Sequence, residues 1–228
     1  MAGPFYIPAP GLDGWRARLA DPDKHWRLGY SARALATAWE DAGGFPPEIR
    51  AALDGAADPA LHGLELLAGF PEHEVALPGG RRPSQSDIWL LARGAAGLVS
   101  IAVEGKVAEP FDKPVVEWLA EASAGKQERL AFLCATLGLE VDRVAAVRYQ
   151  LLHRTASAIL EARRFTCTRA VMLVHSFSQE HAWSDDFSTF AACFGSAAKL
   201  GALQTVTTVG GLPVALGWVT GDATYLGR

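Results

Sequence analysis

Asp87, Glu104 and Lys106 are the residues whose types and spacing are best suited to chemistry. Asp87 lies in the segment SDIWLLAR and Glu104 in the segment LVSIAVEGKV, two strand-like stretches joined by a short Gly-Ala-Ala-Gly loop. Two carboxylates on neighbouring strands repel each other unless a proton or a cation lies between them, and carboxylate oxygens are ligands that hard divalent metals prefer. A lysine beside such a metal can orient an attacking water while the metal stabilises charge on a phosphoryl oxygen. The three residues therefore predict metal-dependent phosphodiester hydrolysis.

The loop between the two strands is symmetric about the Ala95-Ala96 bond, and this symmetry predicts the register of an antiparallel hairpin. Counting outward from the bond places Asp87 directly opposite Glu104, with Cβ atoms roughly 4.5–5.5 Å apart. Lys106 lies two residues beyond Glu104 and shares its face, because side chains alternate along a strand. We expect the three side chains to meet on one face of the sheet.

An exposed strand face that carries an ordinary Glu–Lys surface pair is the alternative interpretation, and such a pair contributes only about 0–1 kcal/mol. Trp89 and Leu91 share the predicted face of Asp87 and favour a buried strand instead. Unpaired carboxylates in a buried strand are costly, so burial would require a partner or a metal.

The elements around this hairpin predict a mixed α/β (α+β) fold. Helical spacing is found in SARALATAWEDA and PEIRAALDG, and a third helix is predicted from about Asp58 to Phe70. A three-stranded meander follows, made of HEVALP and the two hairpin strands. Helices are predicted over PVVEWLAEASAG, over GKQERLAFLCATLGL and from about Asp142 to Arg164. A strand TRAVMLVHSF, a short helix and a final strand LPVALGWVTG complete the order.

Asp87, followed after sixteen residues by Glu104-Gly105-Lys106, resembles the Asp…Glu-x-Lys motif of the PD-(D/E)xK nuclease superfamily, which includes restriction enzymes and Holliday-junction resolvases. The resemblance covers roughly residues 58 to 178 and implies a restriction-endonuclease-like core of helix, meander, helix and strand. Ser86 stands where the family motif has proline, so one confirming residue is missing.

The resemblance implies further site residues and a substrate class. Glu65, on the helix predicted before the meander, would match an acidic residue that some members contribute to the metal site. Gln150, with Tyr149, His153 and Arg154 nearby, resembles a polar helix residue close to the scissile phosphate. Mg²⁺ or Mn²⁺ would be held by Asp87, Glu104, the Gly105 carbonyl and Glu65. The expected partner is nucleic acid, DNA rather than RNA, and the resemblance also allows a homodimer.

Composition sets the boundaries of these expectations. The 228 residues divide into a helical N-terminal extension (1–57), a nuclease-like core (58–183) and a C-terminal helix and strand (184–228), expected to form one globular unit. No apolar run is long enough to span a bilayer and the N-terminus has no secretion signal, which together predict a cytoplasmic protein without a membrane partner. The three cysteines form no CxxC pair, and VHSFSQEH, with His175, Glu180 and His181, predicts a loop rather than a metal cluster.

The net charge of −4 provides no general attraction for nucleic acid. It favours a second hypothesis from another functional class. In that hypothesis the chain is a non-catalytic interaction module that keeps the nuclease-like fold within a defence, repair or regulatory system.

Overall fold

The protein is a mixed α/β domain built on one sheet, as a computed structural model that describes residues 3–121 and 123–228 shows. Within these residues six strands form the sheet, in the order β1-β2-β3-β4-β6-β5. The strands are β1 (Glu65–Val75), β2 (Ser84–Gly94), β3 (Gly97–Lys106), β4 (Arg169–Ser176), β5 (Ala202–Val209) and β6 (Leu212–Thr220). β1, β2 and β3 are an antiparallel meander, and β4 is parallel to both of its neighbours, β3 and β6.

Eight α-helices of the described residues surround the sheet. They are α1 (Leu12–Arg16), α2 (Pro22–His25), α3 (Ser31–Ala42), α4 (Pro47–Asp54), α5 (Val115–Trp118), α6 (Ala124–Leu137), α7 (Tyr149–Arg164) and α8 (Ser184–Ala192). α3 ends at Gly43 and α6 at Gly138, both in the left-handed conformation that glycine adopts without strain. None of the helices in the described part of the chain is long and apolar enough to cross a membrane.

Two hydrophobic cores lie on the two faces of the sheet. On one face α6, α7 and α8 pack through residues such as Leu133, Leu152 and Phe190. On the other face α3 and α4 pack through residues such as Trp39 and Ile49 against the strands. The N-terminal helices therefore share a core with the strands. β3 and β4 are buried on both faces, as continuous apolar strands in the middle of a sheet usually are.

The predicted hairpin is confirmed. Ile88 pairs with Val103 and Gly94 with Gly97 on either side of the Ala95-Ala96 turn, which is the register that the loop symmetry predicts. Helices α3, α4 and α6 and strands β4 and β6 also lie where the sequence patterns place them.

The predicted helix over residues 58–70 is wrong. Pro59–Leu61 forms one 3-10 turn, and the chain is extended from Glu65 as the edge strand β1. The apolar residues at 64, 66 and 68 also fit strand alternation, and Pro71 is tolerated at a sheet edge, where no ladder hydrogen bond is lost. The spacing of these residues satisfied both periods, and pairing with β2 decided between them.

Three smaller differences separate the predicted elements from the observed ones. β5 was not predicted, and α7 begins at Tyr149 rather than near Asp142, where a separate 3-10 turn lies. The helix predicted over PVVEWLAEASAG is limited to α5. Ala122, which belongs to that prediction, lies outside the described residues, as do the first two residues of the chain.

Candidate active site

A row of three carboxylates crosses β1, β2 and β3 at one level. β2 and β3 are paired as far as Ile88↔Val103, and Asp87 and Glu104 are the next residues beyond that pair. On the other side of β2, Pro71 pairs with Ile88 and His73 with Ser86, which sets Glu72 opposite Asp87. Glu72, Asp87 and Glu104 all line one cleft of about 450 Å³, hereafter the acidic cleft. Asp87 and Glu104 therefore line the same cleft together with Glu72, whereas the residue-by-residue pairing of their strands ends at Ile88 and Val103.

The acidic cleft is bounded by the three strands on one side and by N-terminal residues on the other. Its complete lining is Leu19, Ala20, Lys24, His25, Tyr30, Ser31, Ala32, Glu72, Gln85, Asp87, Glu104, Gly105, Lys106 and Glu109.

Backbone geometry opens the cleft where β2 and β3 separate. The paired residues of β2 and β3 end at Ile88 and Val103, although β2 continues alongside β1 to Ser84. Beyond that point the Gly105 N–H donates to Oδ2 of Asp87 at 2.7 Å. The Gly105 carbonyl points to the same side, because the N–H and C=O of one strand residue face the same neighbour. A Cβ at position 105 would lie 3.1 Å from Leu35 and 3.3 Å from the Asp87 carboxylate, so the site has little room for a side chain there.

Glu104 is the most heavily bonded of the three acids. Lys106 Nζ lies 2.8 Å and Gln150 Nε2 2.6 Å from its Oε1 atom, and Arg154 Nε lies 2.6 Å from its Oε2 atom. Glu104 and Lys106 are only 2% and 4% exposed, which excludes an exposed surface pair. Burial favours a raised pKa for Glu104, but the Arg154 and Lys106 cations outweigh burial and hold that pKa below its ordinary value.

The negative charges of the other two acids, Asp87 and Glu72, are balanced less completely than that of Glu104. Burial raises the pKa of Asp87 to about 7, with a further contribution from the Glu104 charge, against the effects of Lys106 and Arg154. Burial and the charges of Asp87 and Glu104 raise the pKa of Glu72 to about 9. Both carboxyl groups therefore lie where a proton or a cation is favoured between them.

Glu72 also has unusual backbone geometry. Its φ is 55°, in the left-handed region that costs a non-glycine residue roughly 1–2 kcal/mol. Its Oε2 atom accepts a hydrogen bond from Gln85 Nε2 at 2.9 Å. Backbone strain of this kind is concentrated at functional sites, which agrees with a role in the cleft.

Glu65, predicted as a metal ligand, is far from the cleft. It lies on β1 opposite Arg93, at the other end of β2 from Asp87, roughly 20 Å away at the rise of an extended strand. Its side chain is 63% exposed and pairs with Arg93 at 2.8 Å. The helix assignment placed Glu65 before the meander, whereas the strand carries Glu72 to the position beside Asp87.

Polar and basic side chains of α7 reach the acidic cleft, and Gln150 is among them, as predicted. Arg154, one helical turn later and predicted only to lie near Gln150, contacts Glu104 directly. Tyr149 instead stacks on Trp118 at 4.1 Å between ring centroids. His153 Nδ1 bonds to Ser84 at 2.7 Å, and burial followed by the charges of Arg154 and Arg129 holds the His153 pKa well below its usual range.

His175 belongs to a separate cluster on the opposite face of the sheet. It lies on β4 and is fully buried, with Trp39 Nε1 donating to its Nδ1 at 3.2 Å. Its Nε2 atom lies 2.9 Å from Glu48 Oε1, so the Nε2–H tautomer of the neutral ring satisfies both contacts. Glu180 and His181 follow in the loop, as predicted.

The oxygen atoms that line the acidic cleft are chemically suited to bind a hard divalent cation. Carboxylate oxygens and a backbone carbonyl are ligands typical of Mg²⁺ and Mn²⁺. Among residues 3–121 and 123–228, however, no three His, Cys, Asp or Glu side chains converge closely enough to hold a metal as they stand. Ion binding would therefore require the Glu104 or Glu72 carboxylate to reorient.

One comparison identifies a family for this chain. A family model described as Domain of unknown function (DUF6946) matches residues 8–223, a range that includes the acidic cleft and the N-terminal residues that line it. No curated protein and no solved structure gives a match. Because the matched range covers nearly the whole chain, the protein belongs to the DUF6946 family.

Proposed function

We propose that this protein is a metal-dependent phosphodiester hydrolase with a restriction-endonuclease-like core, acting on nucleic acid. The observation that carries the proposal is the row of Glu72, Asp87 and Glu104 across three neighbouring strands, with Lys106 2.8 Å from Glu104. Two of the carboxyl groups have a raised pKa, so a positive charge beside them, from a proton or a cation, is favoured. A resident divalent cation is the simplest source of that charge.

Mg²⁺ or Mn²⁺ would be held by Asp87, Glu104 and the Gly105 carbonyl, with Glu72 in the position first assigned to Glu65. Such an ion would supply Lewis-acid polarisation of the phosphoryl oxygen and lower the pKa of a bound water. Gly105 suits the role because a side chain there would crowd both Leu35 and the Asp87 carboxylate.

The chain's own cations would position the reactants. The Lys106 ammonium can donate a hydrogen bond to the attacking water, while Gln150 and Arg154 present N–H donors at the same point. In hydrolysis the water oxygen forms a bond to phosphorus and the bond from phosphorus to the leaving oxygen breaks. One water proton passes to solvent and the leaving oxygen takes a proton, which yields a phosphomonoester and a hydroxyl. Donors aimed at the phosphoryl oxygens stabilise the charge that develops between these states.

Replacing Lys106 tests the proposal. Lys106→Ala should lower phosphodiester cleavage by something on the order of 10²–10⁴-fold and leave metal binding largely intact, because a positioned acid–base group contributes about that much. Wild type and variant are incubated with single-stranded, duplex and branched DNA and with RNA, first in Mg²⁺ and then in Mn²⁺. Lys199→Ala, at an exposed lysine before β5, is the matched control and should cleave at the wild-type rate. Equal rates for Lys106→Ala and wild type would indicate a contaminating nuclease and contradict the assignment.

One observation favours the alternative, a non-catalytic interaction module that retains this fold. Both Glu104 oxygens already accept hydrogen bonds from cationic or amide donors, so the carboxylate is satisfied without a metal. In a module of this kind the contact between Glu104 and Arg154 would be purely structural. Calorimetry that detects no Mg²⁺ or Mn²⁺ binding to the folded protein would support this alternative over the nuclease.

A further inference from the structure

The N-terminal segment forms a second side of the acidic cleft. The N-terminal residues that line the cleft together with the three carboxylates, hereafter the N-terminal wall, are Leu19, Ala20, Lys24, His25 and Tyr30. Lys24 and His25 are exposed and belong to α2, and Tyr30 directly precedes α3. The lining of the cleft therefore combines carboxylates with apolar, aromatic and basic side chains.

Several contacts hold this wall in place. Glu109, just after β3, accepts hydrogen bonds from the N–H groups of Ser31 and Val107, both at 3.2 Å, and so ties the start of α3 to the end of β3. The Gly29 N–H donates to the Leu226 carbonyl at 2.9 Å. The start of α3, directly after Tyr30, is thus bonded to the segment that follows the strand carrying Glu104 and Lys106.

A shallower depression continues the cleft beyond Glu72. It is lined by Arg18, Pro71, Glu72, His73, Glu74 and Gln85, and it shares Glu72 and Gln85 with the acidic cleft. Because the two depressions share these residues, they are treated as one groove, with Lys24 in the lining of the acidic cleft and Arg18 in that of the shallower depression.

We propose that this groove binds single-stranded nucleic acid, a proposal that names the substrate of the nuclease function proposed above. Arg18 and Lys24 supply the cations that contact phosphates in a sequence-independent manner. Tyr30, 43% exposed, supplies an aromatic face on which one base can stack, as in other single-strand binding grooves. The basic and aromatic side chains therefore lie where a strand that passes the carboxylates would meet them.

The size of the cleft disfavours an intact duplex. A volume of about 450 Å³ is within the range of pockets for single small molecules, and one nucleotide unit is of that class. A double helix is much wider, since its major groove alone measures about 12 Å across. A single strand or an unpaired end therefore matches the size of the cleft better than an intact duplex.

Fluorescence anisotropy tests the substrate class through binding alone. The whole protein is titrated, in Ca²⁺ and separately in EDTA, against a labelled 12-nucleotide DNA strand, the RNA strand of the same sequence and the DNA duplex. We expect either strand to bind at least 10-fold more tightly than the duplex, with affinity that falls as salt is raised. The ratio of DNA to RNA affinity then identifies the preferred sugar.

Variants of the wall provide the second arm. Lys24→Ala combined with Tyr30→Ala should weaken binding of the strand by about 10-fold or more, because one phosphate contact and one stacking surface are lost. Tyr30→Phe keeps the aromatic face and should bind like wild type, as should the control Lys199→Ala. Thermal unfolding of each variant verifies that the fold is retained.

The possible outcomes separate this proposal from the nuclease proposal. Duplex binding as tight as strand binding, or wild-type affinity in the Lys24→Ala and Tyr30→Ala double variant, would overturn the single-strand assignment even if cleavage is observed. Strand binding that depends on the wall, without cleavage in Mg²⁺ or Mn²⁺, would retain the groove and remove the nuclease function.

Discussion

The guanidinium Nε of Arg154 on α7 lies 2.6 Å from the Oε2 atom of Glu104 on β3, and both side chains are buried. This contact joins the helix to the central strand at the level of the carboxylate row. A buried ion pair is costly to break from one side only, and without Arg154 the Glu104 carboxylate would retain Lys106 as its cationic contact but lose the partner of its Oε2 atom.

Arg154→Met should therefore lower the free energy of unfolding by about 3 kcal/mol. Glu104→Gln combined with Arg154→Met should cost less than the sum of the two single variants, because the second substitution removes the charge that the first leaves unpaired. Urea denaturation followed by circular dichroism measures all four proteins. Strictly additive losses would mean that the contact contributes nothing as a pair.

Metal affinity should depend on Asp87 and not on Glu65. Asp87→Asn removes a charge from the carboxylate row and should weaken Mn²⁺ binding on the order of 10- to 100-fold or more. Replacing a residue that only contacts a metal ligand already lowers metal affinity by about that factor. Glu65→Gln is the matched control, because Glu65 is exposed and pairs with Arg93 far from the cleft. Isothermal titration calorimetry with Mn²⁺ and Mg²⁺ provides the measurement. Identical titrations for wild type and Asp87→Asn would remove Asp87 from the metal site.

Glu72 should destabilise the metal-free fold at alkaline pH. Its pKa is about 9 in the fold, raised by burial and by Asp87 and Glu104, against an ordinary value of 4.5. The folded state keeps a proton that the unfolded state releases, so stability is lost as pH rises from 4.5 toward 9. In EDTA at pH 8, Glu72→Gln should be more stable than wild type by about 1–2 kcal/mol, and the difference should shrink toward pH 5.

Thermal unfolding at the two pH values, repeated with Mn²⁺, checks this prediction. The ion should restore the stability of wild type more than that of Glu72→Gln, because the carboxylate gains a cationic partner. A variant less stable than wild type at pH 8 in EDTA would show that Glu72 is not an uncompensated acid.

His175 should have the opposite pH dependence. Burial lowers its pKa from 6.5, and the contact with Glu48 only partly offsets that effect. The fold holds the ring neutral while the unfolded chain takes up a proton near pH 6.5. The stabilisation from His175 is therefore complete above pH 6.5 and is lost as pH falls toward the folded pKa.

His175→Gln should lower the free energy of unfolding by about 1–3 kcal/mol at pH 7.5, because the donor on Trp39 and the acceptor on Glu48 lose a well-placed partner. The difference from wild type should narrow at pH 5. Chemical denaturation at both pH values tests the prediction, and a gap that widens on acidification would contradict it.

The sequence by itself determined the central hairpin and several of the residues that meet at its open end. Symmetry about Ala95-Ala96 sets the register as far as Ile88 and Val103, because pairing in a tight hairpin depends only on residues close in the chain, and Asp87 and Glu104 follow directly beyond that pair. Alternation along β3 then places Lys106 beside Glu104, and the helical pattern of α7 carries Gln150 to the same point.

Only the tertiary structure decided which other residues join them. The segment from Glu65 to Phe70 has apolar spacing that suits a helix or a strand, and the choice depends on pairing with β2, which local spacing does not encode. That choice moved the third acid from Glu65 to Glu72. The contact of Arg154 with Glu104 and the position of the N-terminal wall likewise depend on how distant elements pack, since their partners lie about 50 or more residues away in the chain.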